Sequence, residues 1–213
     1  MPVEIDIGGA AHDMTNPSIV DTILNTIMML GILFVHFAPP CNTYSIARWP
    51  KIRSKLFPLG KFNVTDKEMK LLKMSNLCVR HMCQIIDKLC DMRVSWSVEN
   101  PNTSILWHTP AWLEVLADHD PTLILWHMCQ YGEIYKKPTR LYAWAPDNKF
   151  FLNKLARTCK GGHTHVSLSG WDWDHPELHA VPTQKGTSAY PLRLVNKWAG
   201  LIERYFSTLP TSW

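Results

Sequence analysis

A cysteine at position 41 directly follows Pro39 and Pro40, at the point where a run of apolar residues ends. Two prolines hold such a thiol rigidly. An ionised thiol is a strong nucleophile, but only a few per cent of an unperturbed one is ionised at neutral pH, so a nucleophilic role for Cys41 requires local activation. Glu99 ends a second apolar run, ahead of Asn100 and Pro101. Burial there would raise its pKa and let it donate or share a proton; a loop carboxylate capping the next segment is the plainer reading. Asp6 and, a little later, His12 and Asp13 follow a third run. A last group, Cys159, His163 and His165, brings soft and imidazole donors together, with Cys129 or His127 as a fourth. Structural zinc wants four such ligands, but this spacing matches no common ribbon or finger, so the histidines are read as polar loop residues and no residue is assigned to a metal. Cys78, Cys83 and Cys90 share one helical stretch and read as inert core thiols.

The elements that must position these groups follow from periodicity and punctuation. Residues 3–7 alternate and are β-branched, a strand closed by Gly8 and Gly9. Asn16 before Pro17 opens a helix to about Leu30, ended by Gly31. Residues 32–37 read as a strand buried on both faces. After a long basic loop, Thr65 and Glu68 form a capping box, and the apolar face from Met69 to Leu89 carries the longest helix to about Arg93. Further strands are expected over 94–98, 122–128 and 139–145, with helices over 110–119 and 190–206. Alternating strands and helices predict an α/β sheet, with the two strands joined without a helix forming an antiparallel pair at one edge.

At 213 residues with 46% apolar content, the chain suits one domain with a full core, which excludes disorder and fibrous repeats. Its longest apolar run, residues 27–35, is too short to cross a bilayer, and the first residues lack a basic region followed by an apolar one. The expected location is intracellular, and the six cysteines read as free thiols of a reducing compartment. The net charge of +4 hides two segments, 46–73 and 136–160, that each carry +6. Two basic segments on an acidic body suggest a polyanion on one side, against the alternative of two solvated lysine-rich loops. Of the ten tryptophans, Trp96, Trp112, Trp126, Trp144 and Trp198 read as core, and Trp49, Trp107, Trp171 and Trp173 as candidates for base contact.

In order along the chain stand PPCNTYSIAR (39–48), ENPNTSILW (99–107), Tyr131-Gly132 with a basic cluster, GHTHVSLSG (162–170) and AYPLRL (189–194). Together they resemble the ordered motifs of the cytosine-5 DNA methyltransferases, a branch of the class I S-adenosylmethionine-dependent methyltransferases, and in particular divergent members from mobile elements, viruses and protists. The resemblance spans nearly the whole chain. It implies a Rossmann-like, mostly parallel sheet with an antiparallel edge pair, lacking the family's first strand and Gly-rich loop. One domain is expected over 1–213: a cofactor and catalytic core over 1–150, a loop-rich segment over 151–188 that contacts the target, and a C-terminal helix over 189–213.

The implied activity is transfer of a methyl group from S-adenosylmethionine to carbon 5 of cytosine. Cys41 adds to carbon 6 of a flipped-out base, Glu99 holds ring nitrogen 3, and Lys137 or Arg140 stands in for the family's arginine near the base. Asp6, in preference to Glu4, takes the cofactor's ribose, Asp13 lies near its adenine and Pro39 beside it. Ser45, Arg48, Lys51, Arg53 and Lys136 meet the phosphates of DNA, with RNA an open alternative. The competing expectation is a catalytically silent nucleic-acid-binding or structural descendant, with or without zinc.

Overall fold

The structure is a computed structural model, and it describes residues 13–147, 151–166 and 189–208. The expected strand over 3–7 with Glu4 and Asp6, the Gly8-Gly9 turn, His12, Lys149, residues 167–170 of the late motif, Trp171 and Trp173 lie outside the described residues.

Helix α1 spans Ser18–Met29, and Asn16 Oδ1 accepts from the Ser18 backbone, so asparagine fills an orphan donor of the first turn. Gly31 follows it at φ +59°, a conformation that costs glycine little. Strand β1 is Phe34–Phe37. Helix α2, Asp66–Asp91, has both arms of the capping box: the Thr65 side chain accepts from the Glu68 backbone, and a Glu68 oxygen accepts from the Thr65 backbone. Strand β2 is Ser95–Pro101, helix α3 Pro110–His119, strand β3 Thr122–His127, strand β4 Pro138–Trp144 and helix α4 Leu192–Ser207.

The sheet order is β1-β2-β4-β3, with β1 parallel to β2 and both other pairs antiparallel. The α/β expectation holds, but the sheet is mixed rather than mostly parallel, because β4 turns back from β3 and inserts beside β2. The antiparallel pair is thus joined to the parallel pair through β4. Strand β1 also differs from the expectation of burial on both faces. It occupies one end of this four-strand order, and all four of its residues are half-buried.

Side chains alternate across the sheet, and its two faces line two separate apolar cores. Trp96, Val98 and Tyr142 join Ile85, Ile86, Leu89 and Trp112 on the face covered by α1, α2 and α3. Leu141, Ala143, Ile124 and Trp126 join Leu194, Trp198 and Leu201 of α4 on the other. The same alternation turns Ser95, Ser97 and Glu99 toward α4. A carboxylate near the end of β2 therefore lies on the face that α4 roofs.

Candidate active site

The β1–β2 register pairs Phe37 with Val98, so the chain leaves β1 beside Glu99 and Asn100. Asn100, buried in β2, donates from Nδ2 to the Pro39 carbonyl at 2.7 Å and fastens the Pro-Pro-Cys loop to the neighbouring strand. Beyond it, the Tyr44 backbone donates to the Cys41 carbonyl and the Ile105 backbone to the Tyr44 carbonyl. The buried Tyr44 hydroxyl donates to the Ser75 carbonyl of α2. A loop held at these points presents Cys41 as an exposed free thiol. Partial desolvation by the neighbouring groups pushes the pKa of this thiol up, the charge of Lys137 opposes this, and Glu99 adds to it.

Glu99 is buried, and desolvation raises its pKa against the opposing pull of Lys137 and of Tyr190. The Tyr190 hydroxyl donates to Glu99 Oε2 at 3.0 Å, and His36 Nε2 stands 3.1 Å from the same hydroxyl. His36 Nδ1 is 2.9 Å from Ser97 Oγ. Desolvation lowers the His36 pKa to about 4, so its ring is neutral at pH 7. Ser97, His36, Tyr190 and Glu99 thus form one hydrogen-bonded chain that ends on the buried carboxyl. His36, Ser97 and Tyr190 were not singled out as site residues from the sequence. Tyr190 does lie in the AYP segment, which is the one signal that pointed to it.

Of the two cations proposed for the base, Lys137 is the one whose charge bears on both Cys41 and Glu99. Its backbone sits at φ +30°, an unfavourable region for a side-chain-bearing residue, at the turn into β4. Arg140 has other work. It pairs with Asn100 across the ladder, donates from Nε to Asn102 Oδ1 at 3.1 Å and lies over the Trp107 and Tyr142 rings.

The expected phosphate-facing residues divide. Lys51 and Lys136 are exposed, Ser45 and Arg48 half-buried, and the Ser45 hydroxyl accepts from the Ala47 backbone. Arg53 corrects the expectation, because it is buried at 5% exposure. It donates to the Pro58 carbonyl, Asn76 Oδ1 and Ser75 Oγ and stacks 4.0 Å over Tyr44, which makes it the clamp between this loop and α2. Trp107 is a second correction. It is buried against Trp112 and Tyr142, with its indole donating to the Pro101 carbonyl, so it is closed to base contact. Trp49 is exposed, and so is Phe62, which sequence reading missed; both are interleaved with Lys51, Lys55 and Lys61.

The cofactor expectations find less. Asp13 spends one carboxylate oxygen on the backbone and hydroxyl of Thr15, and those bonds hold its pKa below the usual range. Pro39 gives its carbonyl to Asn100. The described glycines near or within loops are Gly31, Gly60, Gly132, Gly161 and Gly162, and none of them follows β1 or β2. Among the described residues there is accordingly no glycine cradle at these strand ends that fits a methionine-bearing cofactor.

The sequence assigned no metal ligands, yet Cys129, Cys159, His163 and His165 converge at the far end of β3, their ligand atoms all within 4.8 Å of one another.

Compared with protein-family models, with curated proteins and with solved structures, the chain matches none. No helix among the described residues is long and apolar enough to cross a membrane.

Proposed function

We propose that this chain carries the base-activating half of a DNA cytosine-5 methyltransferase-type site, in which Cys41 adds to carbon 6 of a pyrimidine and Glu99 holds ring nitrogen 3. The observation that carries this reading is the pairing, at adjacent ends of β1 and β2, of an exposed thiol with a buried carboxyl under the charge of one lysine. Thiolate addition converts an unreactive aromatic carbon 5 into an enamine carbon, and a proton or hydrogen bond at nitrogen 3 absorbs the displaced charge. A carboxyl whose pKa is raised by burial is suited to supply that proton. The thiol lies at the surface with the carboxyl buried, so a base inside a duplex cannot reach both and has to be extruded. The exposed Trp49 and Phe62 among lysines, in the loop that follows Cys41, support contact with a nucleic-acid strand, since aromatic faces stack on bases while cations meet phosphates. S-adenosylmethionine would supply the methyl group in such a reaction. Among the described residues no glycine cradle holds that cofactor at the ends of β1 and β2, and the step that Cys41 and Glu99 support is base activation.

The test is covalent trapping. Oligonucleotides carrying 5-azacytosine, as DNA duplex, single-stranded DNA and RNA, are incubated with the full chain, with and without S-adenosylmethionine, and resolved under denaturing conditions. An adduct that maps to Cys41 and is lost in Cys41→Ser is expected. No adduct under any of these conditions overturns the reading. Salt-sensitive binding without an adduct would instead favour the silent nucleic-acid-binding descendant, for which the lysine and aromatic loop alone suffices.

A further inference from the structure

We propose that Cys129, Cys159, His163 and His165 form a structural zinc site that ties the β3–β4 connection to the segment after β4. The ligand type is right. Two thiols and two imidazoles are a common set for a closed tetrahedral zinc, and no fifth position is needed.

The spacing within the set is also right. Zinc–sulfur and zinc–nitrogen bonds of about 2.3 and 2.0–2.1 Å in a tetrahedron put ligand atoms roughly 3.3–3.8 Å apart. Cys159 Sγ lies 3.8 Å from His163 Nε2 and 3.6 Å from His165 Nε2. All four donor atoms fall within 4.8 Å of one another. The sequence left Cys129 and His127 as competing fourth donors. His127 Nδ1 accepts the Cys159 backbone N–H at 2.8 Å, which makes His127 the residue that orients the cysteine and leaves Cys129 as the ligand.

The local backbone is built for the purpose. Residue 157 is pinned to β3 by two backbone bonds, Arg157 donating to the Leu125 carbonyl and His127 to the Arg157 carbonyl. On the other side, Val166 donates to the Ile134 carbonyl. Between these stakes, Gly161 and Gly162 take φ +97° and +88°, a reversal that brings the two histidines back over Cys159. The Gly161 N–H donates to Cys159 Sγ at 3.4 Å, a bond that fixes the sulfur against the turn. Residues 160–164 are exposed. Such a loop has almost no apolar surface with which to hold two imidazoles, with centroids 4.5 Å apart, against two thiols. A metal–ligand set supplies the missing cohesion.

The test uses the full chain, stripped with a chelator under reducing conditions and reconstituted with zinc chloride. One zinc per chain by elemental analysis is expected, lost in Cys159→Ser and in His163→Ala and kept in His127→Ala. Titration of the stripped wild-type protein with cobalt(II) gives a reading that needs no variant to fold: saturation at one equivalent with tetrahedral ligand-field and thiolate-to-cobalt charge-transfer bands. Failure to take up zinc or cobalt, full retention of zinc by Cys159→Ser, or a native Cys129–Cys159 disulfide in peptide mass mapping would each overturn the site.

Discussion

Tyr190, just before α4, donates its hydroxyl proton to Glu99 at the end of β2, joining two residues from distant parts of the chain across the roof of the sheet. This bond stabilises the ionised carboxylate, whereas burial disfavours it, and burial wins, since the Glu99 pKa stays raised. A carboxyl with a raised folded-state pKa favours the fold while protonated and loses that contribution as pH rises from its unfolded value through the folded one. Glu99→Gln keeps an acceptor for Tyr190 and removes the buried charge. Thermal melts should therefore show the variant above wild type at pH 7, with the gap closing as pH falls below the ordinary carboxylate range. A gap that stays constant over that span would contradict the buried-charge account.

His36 has its own pH window. Its pKa falls from 6.5 to about 4 in the fold, so the unfolded chain binds the extra proton between those values and stability drops on acidification through that window. The full loss below pH 4 is at most about 3 kcal/mol. Urea melts of His36→Gln, which cannot titrate, should lack this slope between pH 6.5 and 4. If wild type and variant run parallel there, the ring is not buried as described.

Lys137 and Glu99 act on the Cys41 thiol with opposite signs. Lys137→Gln should raise the thiol's pKa and slow its alkylation by iodoacetamide several-fold at pH 7.5, and Glu99→Gln should speed it. Peptide mapping isolates Cys41 from the other five cysteines. Equal rates in all three proteins would remove Lys137 from the site.

Arg53→Ala strips four acceptors, on Pro58, Asn76, Ser75 and Thr43, of their shared donor and should cost roughly 2–4 kcal/mol in denaturant melts. Lysine lacks the planar fork and should restore little of it. Lys51→Ala and Lys55→Ala, both exposed, should change stability by less than about 0.5 kcal/mol while weakening binding to a DNA oligonucleotide. An Arg53→Ala protein that melts like wild type but loses DNA binding would return Arg53 to the surface role its charge first suggested.

What was legible in the sequence was local. Thr65 and Glu68 announced α2 because a capping box is written in four consecutive residues, and Pro110 marked the start of α3 for the same kind of reason. Strand types for β3 and β4 were legible from their apolar runs. Their placement was not: β4 pairs Leu141 with Glu99 and Arg140 with Asn100, and no feature of either segment names a partner about forty residues away. Arg53 looked like one cation among many because its four acceptors come from a loop carbonyl, a loop hydroxyl and two α2 side chains. His36 was hidden inside an apolar run, and only the fold brings Tyr190 to it. Cys159, His163 and His165 were visible as a cluster; choosing Cys129 as their fourth needed the turn after β3 and the bond from Cys159 to His127.

The position of β4 has a kinetic consequence. Its pairing with β3 closes only the short connection between residues 127 and 138, whereas β2–β4 and β1–β2 pairing each wait for a much longer loop to close. Closure entropy and slow non-local pairing therefore order assembly from the β3–β4 hairpin outward. Pulse-labelled hydrogen exchange during refolding should protect β3 and β4 amides before those of β1. The thiol and the carboxyl would then meet last, when β1 joins strands already paired.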